Sequence, residues 1–272
     1  MYFVTLCDKD QIHKTINLKK SLGGNLIVID TYDKSIGNFS KLFKFADFLK
    51  NDSSYIDMSD VICFIDAFDM LCIKYDPDAI ERKFKSMQKD VIFGAEENCG
   101  PEHTGEVKKY FENNGNLYLN GGFQIGYKKS FLELHEYVHS NFNSLKDALE
   151  IDRTTEQGIL SQVYIKHLFN MGLDSESKLV NNWGPRRAFR DLDSHFIHVV
   201  RGDTDAENFV MTPELQLHFI EYIRGQVRYD KHIDMIMGRE AFILQSKRYK
   251  ELLQKYSATF SQIDTHMSNA AD

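Results

Sequence analysis

Continuous apolar runs, each followed within a few residues by an acidic residue or a glycine, divide the first two thirds of the chain. They lie at residues 2–6, 25–30, 61–65 and 91–93. An unbroken apolar run is typical of a strand that is buried on both faces of a mostly parallel sheet, whereas a strand with one solvated face alternates. Helical patterns separate the runs. Strands that alternate with helices predict an open α/β sheet with right-handed crossovers.

Apolar residues at every third or fourth position predict the helices of this alternating order. Four segments show this spacing: 39–49, 77–87, 131–138 and 156–168. Pro77 suits the first turn of its helix, and Asp76 before it suits the N-cap. Residues 195–200 are apolar apart from two histidines and predict a late strand.

A helical tail is predicted after residue 210. Thr212 and Pro213 form an N-cap and a first-turn proline, and apolar residues keep helical spacing from 242 to 263. We therefore divide the chain into a domain of residues 1–210 and a helical C-terminal extension of residues 211–272. The apolar stripe of the extension predicts either packing on the core or self-association into a homodimer.

Composition indicates a globular enzyme or binding domain of 272 residues. A net charge of -7 argues against a nucleic-acid partner, because phosphate binding depends on an excess of Lys and Arg. No apolar run approaches the roughly 20 residues that span a bilayer, so no membrane contact is expected. The N-terminus lacks the basic region of a secretory signal, and the four cysteines are scattered. These features predict a cytoplasmic protein, or a protein of the secretory-pathway lumen if a leader has been removed.

Two carboxylates follow the third apolar run, at Asp66 and Asp69. Ligands of open α/β sheets gather at the carboxyl ends of strands. A straight strand would place these two residues on opposite faces, but a turn after Asp66 would bring both acids to one point. Oxygen ligands at one point suit Mg²⁺ or Mn²⁺. The alternative is that both acids only cap the following turn.

Three further features carry candidate chemistry. The paired glycines in residues 118–126 (YLNGGFQIG) let a backbone approach a ligand closely, or they form a glycine turn at a β-bulge. Residues 152–157 (DRTTEQ) are a polar run that opens a helix, where Thr154 or Thr155 could serve as a cap. His198 is either a hydrogen-bonded core residue or a metal ligand.

Taken in this order, residues 60–126 resemble the nucleotide-sugar-binding core of metal-dependent GT-A glycosyltransferases. The resemblance is closest to the glucosyltransferase module of the multifunctional procollagen lysyl hydroxylases and covers roughly residues 1–210. The matching segments are FIDAFD at 64–69, FGAEENCGPE at 93–102, LNGGF at 119–123, EQ at 156–157 and LDSESKL at 173–179. It implies a GT-A type nucleotide-sugar-binding domain, with a mostly parallel central sheet flanked by helices, and leaves the extension unexplained.

The resemblance also implies roles for individual residues. Mn²⁺ would be bound by Asp66, Asp69 and His198, although the family places its histidine where Arg201 stands here. The nucleotide-sugar donor, a UDP-sugar, would be bound by Val4 and Thr5 beside the uracil, Lys41 or Lys44 at the phosphates, Phe68 against the nucleotide, and Gly121 and Gly122. The donor sugar or acceptor hydroxyl would be held by Asn120, Asp152, Glu156 and Gln157.

The function implied is Mn²⁺-dependent, retaining transfer of glucose from UDP-glucose to galactosyl-hydroxylysine of collagen or a collagen-like protein. Two departures concern the acceptor: Gly100 replaces a family tryptophan, and the family's acidic run is reduced to Asp152 and Glu156. They keep open a different donor, such as UDP-galactose, or an acceptor unrelated to collagen. An alternative from another class of function is a noncatalytic binding partner that dimerises through its extension. The two aspartates after the third run argue against it, because function resides in the site rather than in the fold.

Overall fold

The computed structural model describes residues 1–67, 70–72, 74–97, 99, 105–149, 155–183 and 194–199. The strands are β1 (Tyr2–Leu6), β2 (Ile27–Ile29), β3 (Val61–Ile65), β4 (Met70–Cys72), β5 (Val91–Glu96), β6 (Tyr118–Tyr127), β7 (Met171–Leu173), β8 (Val180–Trp183) and β9 (Phe196–Val199). The helices are α1 (Ile16–Ser21), α2 (Phe39–Asp47), α3 (Pro77–Ser86), α4 (Gly105–Asn113), α5 (Lys128–Asp147) and α6 (Glu156–Ile165), with a 3-10 segment at Lys9–Thr15 and a π turn at Phe48–Asp52.

Six strands form the main sheet, in the order β2-β1-β3-β6-β5-β7. β6 pairs antiparallel with both of its neighbours, and the other pairs are parallel. Five strands therefore share one direction and β6 runs against them, which confirms the prediction of a mostly parallel α/β sheet. β4, β9 and β8 form a second, three-stranded sheet.

Both faces of the main sheet are covered, as the unbroken apolar runs predict. Along β3, Ile62 and Phe64 face a core shared with α2, α4, α5 and α6. The alternate residues Val61, Cys63 and Ile65 face a second core, which includes residues of α1, α3 and the smaller sheet. Every residue of β3 is buried, so alternation of side chains between two apolar layers explains why its sequence does not alternate.

Element bounds agree with the sequence patterns where local signals mark them. Asp76 accepts a hydrogen bond from the Ala79 backbone N–H at 2.9 Å, so the predicted N-cap before Pro77 is confirmed. The helix expected at 131–138 is much longer, 20 residues from Lys128 to Asp147, because polar residues on its solvent face hide its apolar spacing. The extension of residues 211–272 lies outside the described residues. None of the helices that the structure describes has the length and apolar character to cross a membrane.

The glycine-containing segment 118–126 belongs to β6, the longest strand of the described chain, and is not a turn. A bulge interrupts its pairing with β5: Phe93 lies opposite Gln124, but the next residue, Gly94, lies opposite Asn120. Residues 121–123 therefore have no counterpart on β5. A bulge of this kind redirects the side chains and backbone groups around it.

A candidate active site at the Gly121–Gly122 bulge

Asp66 is fixed at the carboxyl end of β3 by the bulge and by β1. Its backbone N–H donates to the Gly122 carbonyl at 2.8 Å. The Thr5 hydroxyl donates to the carbonyl of Ile65, the preceding residue, at 2.6 Å. The end of β3 is therefore held from both neighbouring strands, and the Asp66 carboxylate leaves the sheet at a defined position.

His198 and Asp66 meet over Gly122, where the strand has no side chain. A Cβ atom at Gly122 would lie 2.5 Å from His198 Cε1, 2.9 Å from His198 Nε2 and 3.0 Å from Asp66 Oδ2. These distances exclude any side chain at Gly122 and show that the imidazole nitrogen and the carboxylate oxygen face the same small space. The structure shows side chains of the protein in the space over Gly122, and the close approach of a ligand to the paired glycines stays a prediction.

Lys41, on α2, links Asp66 to the first turn of α6. Its Nζ lies 2.6 Å from Asp66 Oδ1 and 2.9 Å from Glu156 Oε1. Burial lowers the pKa of Lys41, but attraction to the two carboxylates outweighs it and leaves the pKa above its ordinary value. Lys41 is therefore a cation throughout the physiological range, and it neutralises part of the negative charge at this end of the sheet.

Glu156 is the first residue of α6 and is almost fully buried. Its Oε1 pairs with Lys41, and its Oε2 has no hydrogen-bond partner among the described residues. Burial raises the pKa of Glu156 above its ordinary value; Lys41 opposes the shift and Asp66 adds to it. Thr155 stands at the N-cap position of α6, but its side chain makes no capping hydrogen bond. Thr155 therefore does not act as the side-chain cap that the sequence offered.

The bulge is also supported by the side-chain amides of Asn120 and Gln157, which share the carboxylate of Glu96. Oε1 of the buried Glu96 accepts hydrogen bonds from Asn120 Nδ2 and Gln157 Nε2, both at 3.0 Å. The two amide oxygens then accept the backbone N–H groups of the bulge: Gln157 Oε1 from Gly121 and Asn120 Oδ1 from Gly122, each at 2.9 Å. Residues in the bulge lack a strand partner on β5, and these side chains supply the missing acceptors.

The structure brings together eight of the residues singled out from the sequence: Lys41, Asp66, Asn120, Gly121, Gly122, Glu156, Gln157 and His198. Asp69, Phe68 and Asp152 lie outside the described residues. Val4 and Thr5 are fully buried within β1, and the Thr5 hydroxyl is engaged at the end of β3. Lys44 lies one turn beyond Lys41 on α2 and acts electrostatically on Asp33. A role for Val4, Thr5 or Lys44 in nucleotide binding stays a prediction.

Three residues near this cluster were not singled out from the sequence as site residues. Glu96 lies inside a segment that carries the family resemblance, and its position at the end of a buried strand was an available signal. Tyr32 follows β2, and its pKa is raised by burial and by Glu156, Asp8 and Asp66 against the effect of Lys41. Asn182, on β8, contacts His198, and nothing in the local sequence marks it.

Asp66 and His198 provide a fitting pair of donors for a divalent cation. A carboxylate oxygen and an imidazole nitrogen suit Mn²⁺, and the missing side chain of Gly122 leaves room between them. Among the described residues no group of three His, Cys, Asp or Glu side chains is placed to hold a metal ion. Asp69, the remaining predicted ligand, is outside those residues.

Comparisons with known proteins identify the family of this chain. Residues 23–197 match the family described as the PLOD GT domain. Over 135 residues, 47% of this chain, the sequence is 30% identical to a Caenorhabditis elegans protein named multifunctional procollagen lysine hydroxylase and glycosyltransferase, and the match spans 17% of that protein's length.

Among solved structures, two structures of LgtC have the same fold. One is an active-site mutant, and the other is described as the galactosyltransferase in complex with donor and acceptor sugar analogues. Each match has a TM-score of 0.50 and covers 85% of this chain and 97% of the LgtC chain. The sequence identities are 13% and 14% respectively. The chain therefore belongs to the PLOD GT domain family and is a glycosyltransferase with the GT-A fold.

Proposed function

We propose that this enzyme transfers glucose from UDP-glucose to galactosyl-hydroxylysine in collagen or a collagen-like protein, with Mn²⁺ as cofactor and with retention of the anomeric configuration. Membership of the PLOD GT family and similarity to a procollagen-modifying relative support the acceptor. The observation that carries the proposal is the convergence of Asp66 and His198 over Gly122, directly beside the Lys41–Glu156 ion pair.

Asp66, His198 and Asp69 would hold the metal. When bound, Mn²⁺ supplies Lewis-acid stabilisation of the charge on the departing diphosphate. In the protein itself, Lys41 keeps Asp66 Oδ1 occupied, which leaves Oδ2 directed to the space shared with His198 Nε2. The two oxygens of one carboxylate thus have separate tasks.

Glu156 is the residue best placed to contact a sugar hydroxyl. Asn120 and Gln157 use their amide groups to support the bulge, whereas Glu156 Oε2 is buried without a partner among the described residues. A buried carboxylate oxygen without a donor is costly, and a substrate hydroxyl would supply that donor. We assign Glu156 to orienting the donor sugar or acceptor, and Asn120, Gln157 and Glu96 to positioning.

The transfer step needs no strong general base. The acceptor oxygen forms a bond to the anomeric carbon while the bond from that carbon to the diphosphate oxygen breaks, and the acceptor proton passes to the departing diphosphate on the same face. This route retains the configuration and fits a site in which Asp66 and Glu156 are both paired with Lys41, and Oε1 of Glu96 accepts two amide hydrogen bonds.

The alternative is a different UDP-sugar, with UDP-galactose the first to test, or an acceptor unrelated to collagen. LgtC, which shares the fold, is described as a galactosyltransferase. Gly100 stands in this sequence where the family has a tryptophan, and the loss of that aromatic side chain supports a different acceptor.

Release of UDP in the presence of Mn²⁺ tests these proposals, with UDP-glucose and UDP-galactose compared with and without a galactosyl-hydroxylysine peptide. We expect the peptide to stimulate release from UDP-glucose alone. Stimulation only with UDP-galactose would overturn the donor assignment. Metal-dependent hydrolysis that the peptide does not stimulate would overturn the acceptor.

A further inference from the structure

We propose that Asn182 is a positioning residue that fixes the tautomer of His198, so that the lone pair of His198 Nε2 is directed at the space beside Asp66. The proposal rests on the proposed function only in assigning that lone pair to a cation. Asn182 and His198 are register partners on the parallel strands β8 and β9, so their side chains share one face of the smaller sheet.

The orientation of the Asn182 amide determines which nitrogen of His198 carries a proton. Asn182 Nδ2 donates to the Ala95 carbonyl at 2.9 Å, so its Oδ1 is the atom that lies 2.9 Å from His198 Nδ1. An amide oxygen only accepts, and Nδ1 must therefore be the donor. In a neutral imidazole with a proton on Nδ1, Nε2 holds the lone pair.

Two glycines of the main sheet make room for this contact. A Cβ atom at Gly94 would lie 2.6 Å from Asn182 Nδ2, and a Cβ atom at Gly122 would lie 2.9 Å from His198 Nε2. Both distances are too short for any other residue unless its neighbours move. Asn182 and His198 thus occupy space left by Gly94 on β5 and Gly122 on β6, which locks both side chains against the main sheet.

Asn181 offers a matched comparison on the same strand. It is fully buried like Asn182, but its side chain points to the opposite face of β8, and its amide atoms have no hydrogen-bond partner among the described residues. Replacing Asn181 therefore removes an equal volume from the same strand without touching His198.

The physical consequence concerns the affinity of the site for a cation. A histidine binds a metal through an unprotonated nitrogen, and an outer partner that holds the other nitrogen in its N–H form raises that affinity roughly 10- to 100-fold. Without Asn182, the proton of His198 can occupy Nε2, the atom that faces Asp66. We therefore expect the Asn182→Ala variant to weaken Mn²⁺ binding by that factor.

The first measurement is nitrogen NMR of the metal-free full chain labelled at histidine, at mildly alkaline pH where histidines are neutral. The His198→Gln variant identifies the signals of His198. We expect a protonated Nδ1 and an unprotonated Nε2 in the wild type and in Asn181→Ala, and loss of that pattern in Asn182→Ala. Asn182→Asp retains an acceptor for Nδ1 and should retain the tautomer. The opposite tautomer in the wild type would overturn the proposal.

The second measurement is the Mn²⁺ dissociation constant, obtained from the electron paramagnetic resonance of free Mn²⁺. Asn182→Ala should bind roughly 10- to 100-fold more weakly than Asn181→Ala, and Asn182→Asp should bind far better than Asn182→Ala. Gly94→Ala displaces Asn182 and leaves the metal donors Asp66 and His198 unchanged, so it should weaken Mn²⁺ binding as Asn182→Ala does. If Asn182→Ala does not fold, the affinity of Gly94→Ala tests the proposal in its place. Equal affinity of Asn181→Ala and Asn182→Ala would overturn the proposal.

The two measurements separate this inference from the proposed function. If the wild type has the expected tautomer but binds no Mn²⁺, the metal assignment fails and the positioning role of Asn182 stands. If Mn²⁺ binds tightly and the tautomer of His198 is the same with and without Asn182, the positioning role of Asn182 fails and the metal assignment stands.

Discussion

Two buried acids of this enzyme, Asp174 and Glu156, differ in the partners of their carboxylate oxygens. Asp174 is fully buried, and its oxygens accept the backbone N–H groups of Lys178, Leu179 and Val180, each at 2.8 Å. Glu156 is almost as buried, but one of its oxygens contacts a lysine and the other has no partner among the described residues.

On this difference we base the proposal that Asp174 is a structural acid and Glu156 a functional one. Asp174 is surrounded by donors from its own loop and shapes the turn that leads into β8, the strand that carries Asn182. Glu156 is held by distant elements, and its second oxygen has no partner among the described residues, which is why we propose that it contacts a sugar hydroxyl. Burial alone does not identify a functional acid; the partners of each oxygen do.

The largest effect is expected from Asp66→Asn, which tests the acid that shares Lys41 with Glu156. Loss of the carboxylate should lower metal-dependent turnover about a thousandfold, equivalent to about 4 kcal/mol. Asp47→Asn, an exposed change on α2, serves as the control. Turnover within a few fold of the wild type would remove Asp66 from the site.

Asp174→Asn tests the structural acid, whose oxygens accept three backbone N–H groups. An amide in place of the carboxylate turns a donor towards backbone N–H groups, so we expect the free energy of unfolding to fall by roughly 3 kcal/mol. Urea unfolding measures this loss. Turnover per folded molecule should be unchanged, and a specific loss of turnover in folded protein would contradict a purely structural role.

Glu156→Gln should show the reverse of Asp174→Asn. Turnover should fall about 100-fold, because the contact of Oε2 with a sugar hydroxyl is weakened. Burial raises the pKa of Glu156, so a neutral residue at this position should leave the unfolding midpoint unchanged or increased. Steady-state kinetics and urea unfolding of the same samples decide whether the two acids differ as proposed.

The smallest expected effect is a pH-dependent change in stability caused by His135. Its ring is buried and packs against the rings of Phe45 and Phe131. Burial lowers its pKa to about 4, the Leu42 backbone acts weakly the other way, and neither ring nitrogen has a hydrogen-bond partner among the described residues. The unfolded chain takes up a proton near pH 6.5, so stability from the neutral ring is complete above that pH and is lost as the pH falls towards 4.

Between pH 6.5 and pH 5 this loss amounts to about 1.6 kcal/mol, and His135→Phe should remove it. Urea unfolding at the two pH values measures the change for both proteins. An equal loss in the variant would assign the pH dependence to other groups.

Much of the fold follows from local patterns in the sequence. The apolar runs of β1 and β3, the capped start of α3 at Asp76, and the acid at the end of β3 all depend on interactions within a few residues. For this reason they could be recognised from the sequence. The family resemblance added the place of Glu156 and Gln157 in the site, and the structure brings both to the bulge.

Contacts between distant segments had no such local signal. That Gly94 makes room for Asn182, that Gly122 makes room for His198, and that Asn120 and Gln157 share the carboxylate of Glu96 depends on how the smaller sheet and α6 pack against β5 and β6. A glycine in a sequence permits a close approach but does not name the residue that makes it.

By itself, the sequence determined the alternation of strands and helices, the two buried faces of the sheet and the position of Asp66 at a strand end, since these depend on periodicity and on residues near one another. Only the tertiary structure decided which oxygens and nitrogens face each other at the bulge, because hydrogen-bond partners are set by register and packing between elements far apart in the chain.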